Sequence, residues 1–253
     1  MSGTVDISQE GGVLTLLMNR PDKKNALTDA MYGAMADAME AAQDDAAVRV
    51  AVVRGAGDLF CAGNDIGDFL ASSGNIGEAN VFRFIRLLGS FTKPLMAGVQ
   101  GRAVGIGTTM LLHCDHVVLA EDALLTTPFT GLGLVPEAAS SLLLPATIGH
   151  QRAFAMLAMG EAMQASDALA HGLANAVVPN ARLDEAVAQA AARIAALPPG
   201  AVQATKALMR DPGMVAAKME AEIEVFGQRL QSAEAREAFT AFMEKRKPDF
   251  SQF

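Results

Sequence analysis

Ala97–Ile106, AGVQGRAVGI, decides how the chain is read. A short apolar, strand-like run enters three glycines, Gly98, Gly101 and Gly105, and leads into the helix-like stretch Gly107–Leu112. Glycine tolerates positive φ and has no Cβ, so backbone here can approach a ligand closely and leave amides exposed to an anion. Upstream, Leu59–Ile66, LFCAGNDI, repeats the pattern: a strand ending at Arg54, turn glycines Gly55 and Gly57, then Gly63-Asn64 before a helix start expected at Asp65. Two such turns, each presenting unpaired N–H groups at the start of a helix, are able to converge on one developing negative charge.

Composition bounds the class. The 253 residues, 51% hydrophobic and 19% charged, fit one large globular domain, with or without a small appendage, and leave ample core. A net charge of −8 lacks the basic footprint of a nucleic-acid binder. Two cysteines, Cys61 and Cys114, are too few for a disulfide framework and point to a reducing compartment. No stretch reaches the roughly 18 apolar residues of a membrane span, and neither end reads as a targeting address, so a cytoplasmic location is expected.

Outward from the glycine run, Thr4–Ser8 and Val13–Asn19 read as a hairpin about Gly11-Gly12, and Thr28 as the N-cap of a helix to about Gln43. Strands are expected at Val48–Arg54, Leu95–Val99, His116–Ala120 and Leu124–Thr126, with helices at about Ile76–Ser90 and Ile106–His113. Strand, glycine turn, then short strand or helix recurs, which is α/β layering with several parallel strands. Ala71–Gly77, ASSGNIG, reads as a mobile loop beside the first glycine turn. After Pro198-Pro199-Gly200 the chain becomes helical, over Ala201–Met209, Met214–Leu230 and Ala233–Lys245, so residues 1–196 form the expected core and 197–253 a helical region that packs on it or on a neighbouring subunit.

The ordered set Asn19-Arg20-Pro21 with Asn25-Ala26-Leu27, FCAGNDI, Lys93-Pro94 to Gly107, Cys114-Asp115 and the tail Ala241–Lys247 resembles the crotonase superfamily of enoyl-CoA hydratases and isomerases along nearly the whole chain. The resemblance implies a spiral of ββα units, a C-terminal helical trimerisation region, and a homotrimer or dimer of trimers. It also implies an acyl-CoA thioester substrate with no separate cofactor or metal, coenzyme A being part of the substrate. Its enolate is held by two backbone amides, here those of Asn64 and Ile106. Such preorganised donors are worth about 3–4 kcal/mol each.

Hydratases of this family carry two glutamates, and the corresponding positions here, counted without gaps from Gly101, are Thr109 and Phe129. Phenylalanine transfers no proton, and threonine is too weak an acid and base near neutral pH. A carboxylate stands instead at Glu137, in TPFTGLGLVPEAASS, Thr127–Ser141. Pro136 suits a helix start, so Glu137 is expected in the first turn of a helix Glu137–Leu144, where apolar neighbours raise its pKa and the helix N-terminus opposes the rise. The stretch resembles peroxisomal-type Δ3,Δ2-enoyl-CoA isomerases, which implies Glu137 as the single base that moves a proton from C2 to C4. The alternatives are hydration or another crotonase reaction on an acyl-CoA, and a non-catalytic CoA-binding trimer.

The resemblance further implies CoA contacts from backbone around Ala62, Gly63, Asn64, Asp65 and Ile66, from Lys23 or Lys24 near the phosphates, and from Phe242 and Lys245 of an adjacent subunit. Lys245 also reads as part of a solvated cluster, and Asp65 equally as an N-cap. His113-Cys114-Asp115-His116 is excluded as a metal site, because consecutive residues entering a strand point in alternating directions. Cys61 reads as a small buried hydrophobe, and the 14 methionines as adaptable packing or acyl-chain lining.

Overall fold

The computed structural model describes residues 4–68 and 79–253, so the Ala71–Gly77 loop and the first turn of the Ile76–Ser90 helix lie outside the described residues. Six strands form the main sheet: β1 (Thr4–Glu10), β2 (Val13–Asn19), β3 (Val50–Gly55), β4 (Leu95–Val99), β6 (His116–Ala120) and β9 (Ala176–Val178), side by side in that order. In this sheet the β1–β2 hairpin is antiparallel and every later pairing is parallel. A second sheet joins β5 (Arg102–Val104), β7 (Leu124–Thr126) and β8 (Met163–Gln164) in the order β5-β7-β8.

The spiral follows from how strands hand over between the sheets. β4 leaves the main sheet at Val99, turns through Gln100-Gly101, and enters the second sheet as β5; β6 passes likewise into β7. The chain after β3 makes the same passage, with Cys61 bridged to Ala103 of β5. Gly101 carries each successive turn past the last: its φ is +56°, and a Cβ there would lie 2.3 Å from the Asp58 carbonyl oxygen. Gly98 serves differently. It sits inside β4, where a Cβ would meet Val187 at 2.5 Å, so this glycine admits a helix and makes no turn.

Alternation along the strands buries both faces of the main sheet. Val50, Val52, Met96 and Val118 face α7 (Leu183–Ala195) through Leu183, Val187 and Ala191. Ala51, Val53, Leu95, Ala97, Val117 and Leu119 face the larger core. That core holds α1 (Asp29–Asp44), capped by Thr28 whose Oγ1 accepts from Met31 N, and α2 (Asn80–Ser90). Asp29 ties the two together by accepting from Asn80 N at 2.8 Å and Asn80 Nδ2 at 2.7 Å.

Beyond β5 the chain forms α3 (Ile106–Thr109), continuing as a tighter turn over Met110–His113. After β7 come α4 (Ser140–Ile148), α5 (His150–Leu157) and α6 (Ala165–Ala170). The helix expected from Glu137 thus begins three residues later. Ala138 (φ +58°) and Ala139 (φ +54°) are both left-handed, which keeps residues 137–139 out of α-helix and leaves Glu137 on a turn ahead of it. The C-terminal helices are α8 (Pro199–Met209), α9 (Pro212–Leu230) and α10 (Ala233–Met243). Val215, Met219 and Phe226 of α9 are buried in the larger core. Among the described residues no helix is long and apolar enough to cross a membrane.

Candidate active site

The two glycine turns lie side by side, held by backbone pairing. Phe60 N donates to Gln100 O (2.9 Å), Cys61 N to Arg102 O (3.1 Å), and Val104 N to Cys61 O (2.9 Å). On the far side of the first turn, Leu27 N donates to Gly63 O and Asp65 N to Leu27 O, both at 2.8 Å. Those bonds use the groups flanking Asn64 and leave its own N–H facing away from the bridge. Ile106 opens α3 behind Gly105 (φ +55°), so its N–H has no acceptor within the helix. Among the described residues neither the Asn64 nor the Ile106 amide makes a hydrogen bond.

The sequence motif before α1 secures the first turn. Asn25, buried and left-handed at φ +53°, donates through Nδ2 to Ala56 O (2.8 Å) and Leu59 O (2.7 Å), while its Oδ1 accepts from Arg20 N (2.9 Å). Arg20 pairs with Asp65 at 2.7 Å, which holds that carboxyl below its usual range. Asp65 Oδ1 also accepts from Asp68 N at 3.1 Å, so the residue both caps the helical residues 66–68 and anchors the turn. Tyr32, the chain's single tyrosine, reaches from α1 with its hydroxyl donating to Asn64 Oδ1.

Glu137 is 5% exposed, and among the described residues its carboxyl has no hydrogen-bond partner. Its charge bears on Tyr32, which bonds Asn64, and on Cys61, three residues before Asn64. Of the two opposing effects expected on this acid, burial prevails. Loss of water pushes its pKa up to about 8, with the nearby Glu222 carboxylate adding to the rise. Among the described residues no backbone amide donates to the carboxyl to oppose the rise.

Side chains from remote elements hold that acidic turn. His113, buried, places Nε2 2.8 Å from Ala138 O, while Arg210 NH1 lies 3.3 Å from its Nδ1. Burial lowers the His113 pKa to about 4, so the neutral ring donates from Nε2 and accepts at Nδ1. From α9, Glu222 accepts from Ser141 N at 2.9 Å and from the Ser141 hydroxyl. Sequence reading missed Tyr32 and Glu222 and took His113 only as part of a rejected metal cluster. A lone tyrosine on the apolar face of α1 was the one signal available.

Three members of that cluster are committed elsewhere: Cys114 Sγ to Met110 O, Asp115 to Leu95 N and Lys206, and His113 as above. Cys61 is fully buried, with its thiol pKa pushed up to about 12. Ala62, Gly63, Asn64, Asp65 and Ile66 line the first turn. Lys23 and Lys24 are exposed beside it, with Ala62 N donating to Lys24 O at 3.0 Å. Phe242 and Lys245 are exposed at the end of α10, and no contact within the single chain brings them to Glu137.

A family profile described as enoyl-CoA hydratase/isomerase matches residues 8–253. The chain belongs to the enoyl-CoA hydratase/isomerase family. A crystal structure of an enoyl-CoA hydratase/isomerase from Pseudoalteromonas atlantica T6c is similar at 39% identity and a TM-score of 0.93, covering 98% of this chain and 99% of that one. Enoyl-CoA delta isomerase 2 of Rattus norvegicus is 38% identical over 81% of this chain, which spans 54% of the rat protein's length. The 2,3-dehydroadipyl-CoA hydratase of Escherichia coli K12 is 33% identical over 96% of this chain and 97% of its own. Isomerases and hydratases thus share this crotonase fold, and the acid/base residues must separate them. Thr109 and Phe129, the positions that sequence counting assigned to hydratase glutamates, are both buried here.

Proposed function

We propose that this chain is a Δ3,Δ2-enoyl-CoA isomerase in which Glu137 carries one proton from C2 to C4 of a bound 3-enoyl-CoA. The observation that carries the reading is a buried carboxyl without a hydrogen-bond donor among the described residues, its pKa raised to about 8, together with two turns whose Asn64 and Ile106 amides make no hydrogen bond among the described residues. A base must be strong enough to take the C2 proton and weak enough to return it, and a pKa near working pH meets both needs. As the proton leaves, negative charge gathers on the thioester oxygen. The two amides stabilise that dienolate more than they stabilise the ground state, which is the condition for rate enhancement.

Hydration is the second reading, favoured by the similarity to the E. coli hydratase. Glu222 does not restore a two-carboxylate hydratase, because one oxygen is bonded by Ser141 and the other is buried. Backbone of Ala62–Ile66, with Lys23 or Lys24, is proposed to receive the CoA moiety, and no separate cofactor enters the chemistry. Phe242 and Lys245 would act from a neighbour in a homotrimer or dimer of trimers. Leu208, Met209 and Met243, all exposed on the C-terminal helices, supply apolar surface for that assembly. The reading places the enzyme in cytoplasmic fatty acyl-CoA metabolism. Steady-state rates with 3-enoyl-CoA and 2-enoyl-CoA, side by side, test it: turnover of the first is expected, and turnover of only the second would overturn it.

A further inference from the structure

Glu222 is a buried carboxylate that the proton shuttle does not use. It is 7% exposed on α9, 81 residues from its partner Ser141, and its Oε2 is buried without any hydrogen bond. Leaving a buried carboxylate oxygen unpaired costs free energy, so its retention needs a return elsewhere. The return is visible at α4. Glu222 Oε1 takes both the Ser141 amide and the Ser141 hydroxyl, the donors at the start of that helix. Ser140, the residue before, donates its amide (3.0 Å) and hydroxyl (2.6 Å) to Glu137 O. Two left-handed alanines lie between these anchors, a backbone state that persists only where its surroundings impose it.

We propose that Glu222 is a positioning residue for Glu137: by gripping Ser141 from α9 it imposes the left-handed Ala138-Ala139 turn that delivers Glu137 ahead of α4, and it sets a second carboxylate beside that acid. The inference rests on Glu137 being the working acid, and it adds a residue that touches neither substrate nor reacting atoms. The two carboxyls form a coupled pair. Burial raises the Glu222 carboxyl pKa, opposed by the donors of Ser141, whereas Glu137 has no donor and is raised by burial and by the Glu222 charge. The other groups around the pair stay constant near neutral pH. Tyr32 from α1 and Cys61 from the first turn are held neutral by burial, as is His113 with Arg210 beyond it, and Lys218 is the cation on α9 itself.

The experiment follows the carboxyl titration of Glu137 by carbon-13 NMR in glutamate-labelled, ligand-free protein, with E137Q identifying the signal. This readout needs no substrate, so it stands or falls apart from the isomerase assignment, which the rates with the two substrates test. In wild type the midpoint is expected near 8. E222Q keeps an oxygen for Ser141 but removes the charge, and is expected to bring the midpoint down toward about 7, a shift typical of losing a nearby like charge. E222A removes the grip as well, and is expected to lower kcat about tenfold or more on the enzyme's own substrate, with E222Q recovering most of it. S141A provides the same test from the other partner should E222A fold poorly, with a smaller fall in kcat expected because the Ser141 amide remains. An unmoved Glu137 midpoint in E222Q, or E222A and S141A both turning over like wild type, would overturn the proposal.

Discussion

At the two amide turns, backbone of one spiral passage clasps backbone of the next: Phe60 on Gln100, Cys61 on Arg102, Val104 on Cys61. At the acidic turn, side chains from three separate elements do the holding, His113 on Ala138, Arg210 on His113, and Glu222 on Ser141. The difference suits the two tasks. Amides proposed to bind a developing charge must not move, and a strand register supplies most of that stiffness, with the Asn25 side chain and the Arg20–Asp65 pair bracing the first turn. An acid that gains and loses a proton needs its environment tuned, and only side chains carry the charge and burial that tune it.

The sharpest test of that contrast removes the acid without touching the amides. Glu137→Gln is expected to lower kcat on the order of 10^3-fold, within the usual range for general acid–base catalysis, with unchanged circular dichroism. The same variant reports on stability. Glu137 has a folded-state pKa raised to about 8, so its favourable contribution is complete below the unfolded value near 4.5 and is lost as pH rises through about 8. Wild type should therefore lose stability between those limits more steeply than Glu137→Gln, read by thermal melts at pH 5 and pH 9; parallel curves would contradict the buried, charge-averse acid.

The next test disturbs the backbone side. Gly101→Ala forces a Cβ to within 2.3 Å of the Asp58 carbonyl oxygen at positive φ. It is expected to cost at least about 2 kcal/mol in urea unfolding, since a left-handed non-glycine residue alone costs about 1–2 kcal/mol. A loss of activity without a loss of stability would mean that the passage between sheets is not what Gly101 permits. Smallest is Tyr32→Phe, which leaves Asn64 Oδ1 without its donor. A fall in kcat of about tenfold is expected with little change in melting temperature, matching the loss of one partly buried hydrogen bond.

The same contrast explains what could be read in advance. The exact agreement at Val13–Asn19, Leu95–Val99, His116–Ala120 and Leu124–Thr126 came from local signals, apolar runs bounded by turn residues. β5 was hidden inside the glycine run, and β8 and β9 are too short to show a period. The unpaired amides of Asn64 and Ile106 were legible as candidates through the glycines beside them and the family resemblance. The start of α4 was misplaced because Pro136 signals a helix start, whereas the structure delays the helix by two left-handed alanines held through contacts 25 and 81 residues away in sequence. No local pattern around Glu137 contains His113 or Glu222, so the residues that tune the acid needed the fold to be seen. Gly98, grouped with Gly101 and Gly105 as a glycine that lets a ligand approach the backbone, instead makes room for Val187.

The central claim is that one carboxyl moves one hydrogen within the bound substrate. Turning over 3-enoyl-CoA deuterated at C2, in water enriched in oxygen-18, and locating both labels in the product tests it most directly. The account predicts deuterium at C4 and no oxygen-18 on the carbon chain. Oxygen-18 at C3 with no deuterium at C4 would contradict it.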